Sequence, residues 1–83
     1  MRIRLNADGR VLQGTPVQIV QAMHAIAFGA DGLSLSEYID WACDHAARMM
    51  DVHLEVAEGT EEERAAAFVD AMVGAELAEK LGG

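Results

Sequence analysis

The sequence predicts an α+β fold in which a small sheet is covered on one face by helices. Two observations carry this prediction. Two short stretches near the N-terminus alternate apolar and polar residues around a turn, which is typical of a β-hairpin. Three later stretches place apolar residues at helical spacing, and each follows a residue that caps helices well. A chain of 83 residues has room for one such core, so we expect residues 1–83 to form a single domain.

The hairpin is predicted from RIRLN and RVLQG, which flank the turn residues ADG. Ile3 and Leu5 alternate with arginines, as in a strand with one buried face. The motif GTP then ends the second strand and opens a helix, because Thr15 is a good N-cap and Pro16 suits the first helical position. A phosphate loop of the Walker type would need a lysine here, so the motif favours a simple cap over a phosphate site.

The second helix is predicted over residues 35–50. The turn residues GADG at positions 29–32 end the first helix. Ser34 and Glu37 then form a capping box, in which each residue satisfies a free backbone N–H of the other.

A third strand is predicted immediately after this helix. Val52, Leu54 and Val56 alternate with His53 and Glu55, which is the period of a half-buried strand. We expect this strand to join the hairpin, with its polar residues on the same open face as the arginines of the first strand.

The C-terminal helix begins with a second capping box, formed by Thr60 and Glu63. Gly74 is a candidate for its end. Residues 75–81 favour helix by composition, and a short closing strand is the alternative. The predicted order is therefore β-β-α-α-β-α with a possible closing strand.

The charge of the chain argues against nucleic acid as a direct partner. The formal net charge is −8, and only Asp8 of the 14 acidic residues lies within residues 1–30. Affinity for DNA and RNA depends on lysine and arginine displacing counterions, and this chain has six. A basic protein partner remains compatible with the charge, and so does mimicry of a polyanion.

No apolar run approaches the roughly 18 residues of a membrane span, and the N-terminus lacks the apolar core of a signal peptide. The lone Cys43 cannot form an internal disulfide. We therefore expect a cytoplasmic protein with no membrane association.

No set of residues predicts catalysis, a metal site or a cofactor. Cys43 and His45 are two positions apart on a helix and point in different directions, so they cannot share a metal ion. The stripe of Glu37, Asp40 and Asp44 indicates a solvated face, on which Asp44 pairs with Arg48 four residues later. We expect no enzymatic activity.

The second helix also carries the candidate interface residues Tyr38, Trp41, Met49 and Met50. Its apolar surface is wider than one buried stripe. These side chains would compete for one core layer with a set of apolar residues from the other helices, namely Ile19, Met23, Phe28, Phe68 and Met72. We therefore expect part of this surface to be exposed and to form a homo-oligomer. The edge of the second strand, RVLQ, is a rival contact for self-association.

The motifs DG, GTP and EYI, in this order along the chain, resemble those of small bacterial proteins encountered in phages, plasmids and other mobile elements. In that pattern a helix, a glycine and a short strand close the chain, whereas VGAELAEKL is more helical here. The resemblance implies no activity and no binding residue. Two functions are compatible with the sequence: a self-associating accessory or regulatory module, and an acidic inhibitor that mimics nucleic acid.

Overall fold

The computed structural model describes residues 1–27 and 29–82. Over these residues the chain forms six elements, in the order β1 Arg2–Leu5, β2 Val11–Gln13, α1 Pro16–Ile26, α2 Leu35–Met50, α3 Glu61–Gly74 and β3 Ala78–Lys80. The α+β class is confirmed, as are the hairpin and the three helices. None of these helices is both long enough and apolar enough to cross a bilayer.

The sheet is antiparallel throughout, with the strand order β2-β1-β3. Ile3 lies opposite Leu12 of β2 on one side and Lys80 of β3 on the other. At the end of β1 successive residues bond to different sides: the Leu5 N–H donates to Arg10 O before β2, whereas the next N–H, of Asn6, donates to Leu77 O before β3.

The predicted third strand at residues 52–56 is wrong. The third strand of the sheet is instead β3, the closing strand that the sequence left open. Residues 52–56 run without helix, turn or bend and belong to no sheet. They lie against the helical core through Leu54 and Val56, and β3 occupies the edge of β1 that they were expected to fill.

All three predicted helix starts are confirmed. The N-cap residues Thr15, Ser34 and Thr60 each accept a hydrogen bond from a backbone N–H three residues later, and each N-cap N–H donates to the side chain at that position. In α3 this contact lowers the pKa of Glu63, because the Thr60 N–H stabilises the carboxylate.

Helices α2 and α3 both end close to a left-handed residue, but their closing bonds differ: the Val52 N–H donates to Ala46 O six positions back, whereas the Leu77 N–H donates to Met72 O five positions back. A residue other than glycine adopts a left-handed conformation after each helix: Asp51 with φ 54° after α2, and Glu76 with φ 63° after α3. At the end of α3 the Glu76 N–H donates to Val73 O and the Leu77 N–H donates to Met72 O, which is a Schellman motif. Gly74 is the last helical residue, and the turn itself uses Glu76.

The core lies between the sheet and the helices. Its largest fully buried side chains come from every layer: Phe68, Ile3, Ile19, Ile39, Val20 and Val69. Met23 and Met72 are also buried as expected, and Phe28 lies outside the described residues. Ile26, the last residue of α1, is 44 % exposed.

Candidate interaction surface

Four stacked rings connect α1 to the exposed end of α2. We call this group the aromatic column: His24, Tyr38, Trp41 and His45. The ring centroids of His24 and Tyr38 are 4.7 Å apart, those of Tyr38 and Trp41 5.9 Å, and those of Trp41 and His45 5.0 Å. Each pair of rings is close to parallel, with interplanar angles between 15° and 24°.

The column follows one side of α2, because positions three, seven and eleven residues apart share a helix face. Met49 continues this face beyond His45. Exposure rises along it: Tyr38 is 4 % exposed, Trp41 is half-buried and Met49 is 70 % exposed. Helix α1 is shorter than α2, and its contact at His24 covers the start of this face. The face thus leads from the core to solvent.

At its inner end the column is fixed to the loop before α2. His24 Nε2 lies 2.6 Å from the carbonyl oxygen of Ala30, to which a protonated Nε2 donates. Gly29 has φ 84°, and a Cβ there would lie 3.9 Å from Trp41. The bond to Ala30 O fixes the inner end of the column, so the accessible part of the surface lies further along α2.

The predicted interface residues differ in their accessibility. Tyr38 belongs to the core, where burial raises the pKa of its hydroxyl to about 12. A buried ring cannot provide an accessible docking contact, so the structure does not support Tyr38 in that role. Trp41 is half-buried within the column, whereas Met49 and Met50 are 70 % and 49 % exposed.

The chain continues from these methionines into residues 52–56, which we call the unpaired segment. Val52, Leu54 and Val56 are half-buried, while His53 and Glu55 are exposed. Within the described residues, no hydrogen bond joins the backbone of positions 53–56 to any other group. The segment therefore has the side-chain alternation of a strand but leaves its backbone to water.

Arg64 holds the far end of this segment and was not singled out by sequence reasoning. Its guanidinium is buried and donates to Ala57 O, Ser36 O, Ser36 Oγ and Asp40 Oδ1. Its position carried a usable signal, because Arg64 precedes Phe68 by four residues and thus lies on the buried stripe of α3. Arg64 therefore joins α2, α3 and the segment between them.

The acidic stripe of α2 is occupied by structural contacts. Glu37 closes the capping box, Asp40 pairs with Arg64 at 2.6 Å, and Asp44 pairs with Arg48 at 3.1 Å. The predicted pair of Asp44 and Arg48 is thus confirmed. No group of three or more histidine, cysteine or acidic side chains could hold a metal ion among residues 1–27 and 29–82.

Two further features are candidate sites of chemistry: the Cys43 thiol as a nucleophile and the start of α1 as a phosphate site. Burial, and secondarily Asp40, raises the pKa of the Cys43 thiol, which favours the unreactive protonated form. The open cavity beside Thr15 and Pro16 is also lined by Glu61 and Glu62. These carboxylates would repel a phosphate, so the geometry favours the simple cap predicted for the GTP motif.

Comparisons with models of protein families, with curated proteins and with solved structures found no match. The resemblance to mobile-element proteins therefore stays a prediction.

Proposed function

We propose that this chain is a small, non-enzymatic interaction module that self-associates, in the manner of an accessory or regulatory protein. Its contact would be the exit surface, defined as Met49, Met50 and the unpaired segment that follows them. The observation that carries the proposal is the exposure of two consecutive methionines next to a strand-like stretch without a partner.

Burial of the methionines supplies a driving force for this contact. Transferring a methionine side chain from full exposure to full burial is worth roughly 1.5–3 kcal/mol. Met49 and Met50 can contribute only part of this free energy on association, because they are 70 % and 49 % exposed in one copy. An isologous dimer uses the same surface twice, so each methionine contributes in both copies. Methionine also adapts its shape easily, which suits it to contact surfaces.

Replacement of both methionines by glutamine tests the proposal. Glutamine keeps the length and the helix propensity of methionine but is costly to bury without hydrogen-bond partners. We expect sedimentation equilibrium to show a dimer of the 8.9 kDa chain at micromolar concentration and a shift of M49Q/M50Q toward monomer. Ile26→Gln is the matched control, because Ile26 is 44 % exposed and lies on α1, which contributes no residue to the exit surface. A monomeric wild type, or equal effects of the two variants, would contradict the proposal.

A second candidate, the acidic mimic, is favoured by the pattern of ion pairs. Within the described residues, five basic side chains lie within 4 Å of a carboxylate, namely Arg4, Arg10, Arg48, Arg64 and Lys80. The charge left free is thus mostly negative, as a basic groove would require.

Salt distinguishes the two candidates. If the chain acts as an acidic mimic, its binding to a polylysine surface should weaken steeply from low to high salt. Self-association through methionines should persist or strengthen, because salt screens the repulsion between two copies that each carry −8.

A further inference from the structure

The unpaired segment is complementary to a second copy of itself, and this deepens the self-association proposed above, on which it rests. We infer that residues 52–56 of two copies pair as antiparallel strands about a two-fold axis at Leu54. The exit surface would thereby gain a hydrogen-bonded core between the copies. Three features of the segment support this pairing: its backbone without hydrogen bonds, its alternation of apolar and polar residues, and its charge order.

The backbone provides the capacity to pair. In the part of the chain that the structure describes, the N–H and C=O groups of residues 53–56 make no hydrogen bond to protein. The segment is fixed at both ends, because the Val52 N–H donates to Ala46 O at 3.2 Å and Ala57 O accepts from Arg64 Nε at 3.2 Å. An anchored stretch whose backbone groups make no hydrogen bond is suited to strand addition by a partner.

The alternation restricts the register. Leu54 and Val56 pack against the core of their own chain and Val52 is half-buried, whereas His53 and Glu55 are exposed. Antiparallel partners must place apolar residues opposite apolar residues, since a shift by one position would bring every side chain to the wrong face. The two-fold axis must therefore pass through a residue of the segment rather than between two residues.

Charge selects Leu54 among the possible axes. With Leu54 on the axis, His53 lies opposite the partner's Glu55 and Glu55 lies opposite the partner's His53. An axis at Glu55 would place two glutamates opposite each other. An axis at His53 would place Glu55 opposite the partner's Asp51. An imidazole N–H donates to a carboxylate in either charge state of the ring, so the axis at Leu54 gives two favourable cross-strand pairs per dimer.

The same register also matches the apolar faces. Val52 lies opposite the partner's Val56, and the two Leu54 side chains meet on the axis. The apolar side chains of both copies then form one continuous face that adjoins the methionines, and the polar side chains form the other. The segment is thus symmetric about Leu54 in hydropathy and complementary about Leu54 in charge.

Charge variants at position 53 test this register. His53 is largely exposed, and among the residues that the structure describes its ionic neighbour is Asp51 at 3.8 Å. His53→Glu should weaken the dimer about tenfold, because it creates two pairs of opposed glutamates. His53→Lys should tighten the dimer severalfold. The exchange H53E/E55H should recover most of the wild-type affinity, because it restores both pairs with their positions reversed.

Gln21 supplies the matched control for net charge. It is exposed on α1, so Gln21→Glu and Gln21→Lys change the charge by the same amounts away from the segment. If H53E and Q21E weaken the dimer equally, the effect is general repulsion; the inferred pairing is then wrong, while self-association stands. If the wild type is monomeric, the proposed function itself is wrong.

A cross-link reads the register directly. In a Cys43→Ala background, H53C/E55C should form an intermolecular disulfide on mild oxidation. H53C/A57C, which reports an axis at Glu55, should link far less. Efficient linkage of the second pair would overturn the axis at Leu54. If the protein is dimeric but neither pair forms a disulfide, the contact lies on another surface, such as the edge of β2, and the inferred pairing is wrong.

Discussion

The unpaired segment and β3 each follow a helix and a residue in the left-handed conformation, yet only β3 becomes part of the sheet. Asp51 ends α2 and Glu76 precedes β3, each in a left-handed conformation. The segment then reads Val-His-Leu-Glu-Val, with three strand-forming aliphatic side chains, whereas β3 reads Ala-Glu-Lys, with residues that favour helices. The weaker strand former is thus the one that pairs.

This difference teaches that a strand is defined by an available edge as much as by its own residues. The chain enters β3 three residues after α3, directly beside β1, and the small side chain of Ala78 fits the core at 3 % exposure. The unpaired segment is held against the helices by Arg64 at its far end. The segment consequently keeps the side-chain alternation of a strand, but within the described residues its backbone is not paired.

The largest effect is expected from removing the anchor of the segment. Arg64→Ala leaves Ala57 O without its donor, removes the ion-pair partner of Asp40 and opens a cavity on the buried stripe of α3. We expect chemical denaturation to show a loss of about 3 kcal/mol. Arg48→Ala removes an exposed partner of Asp44 and should cost about 0.5 kcal/mol or less. Equal losses would show that Arg64 does not act as an anchor.

An intermediate effect is expected from proline substitutions in β3. The hydrogen bonds of Asn6 with Leu77 O, and of Leu81 with Arg2 O, fix which residues of β3 bond to β1. By this alternation the Glu79 N–H points toward β1 and the Lys80 N–H points away.

Glu79→Pro should therefore lower the free energy of unfolding by about 2 kcal/mol, and Lys80→Pro by less than half of that. The two variants are matched, because each also removes one exposed ion pair, with Arg4 or with Asp70. Thermal unfolding measures the difference, and the reverse order would contradict the register.

The smallest effect is expected at the two left-handed residues. Glu76→Gly should stabilise the chain by about 0.5 kcal/mol, because glycine adopts positive φ without a Cβ clash. Asp51→Gly should gain less, since aspartate tolerates this conformation better than glutamate. Calorimetry measures the change in stability of both variants. Destabilisation by Glu76→Gly would contradict this expectation.

Features encoded by neighbouring residues were predictable from the sequence. The hairpin around its turn and the capping boxes at Ser34 and Thr60 depend on contacts within a few positions, and all of them are present. The strand assigned to residues 52–56 failed because alternation reports two faces of different polarity, and a helical layer can supply the apolar one as well as a sheet.

The candidate surface was predictable in part for the same reason. Helix α2 carries apolar residues over more of its circumference than one buried stripe can cover, and the spacing of these residues in the sequence shows this. Trp41, Met49 and Met50 belong to that wider apolar surface. The burial of Tyr38 depends on His24 of α1, which stacks on it across the helix pair. The burial of Arg64 depends on carbonyl groups of two other segments. Such contacts are set by tertiary structure and leave little trace in the local sequence.

The central position of β1 has a consequence for synthesis of the chain. Arg4 contacts Glu79 across 75 positions of sequence, whereas the β1–β2 hairpin closes within a few residues. Because translation proceeds from the N-terminus, the hairpin and all three helices emerge from the ribosome before β3 does. Until then one edge of β1 is open, and closing it requires a contact of high sequence separation, which slows folding. The nascent chain thus passes through a stage in which β1 is free to pair with another polypeptide.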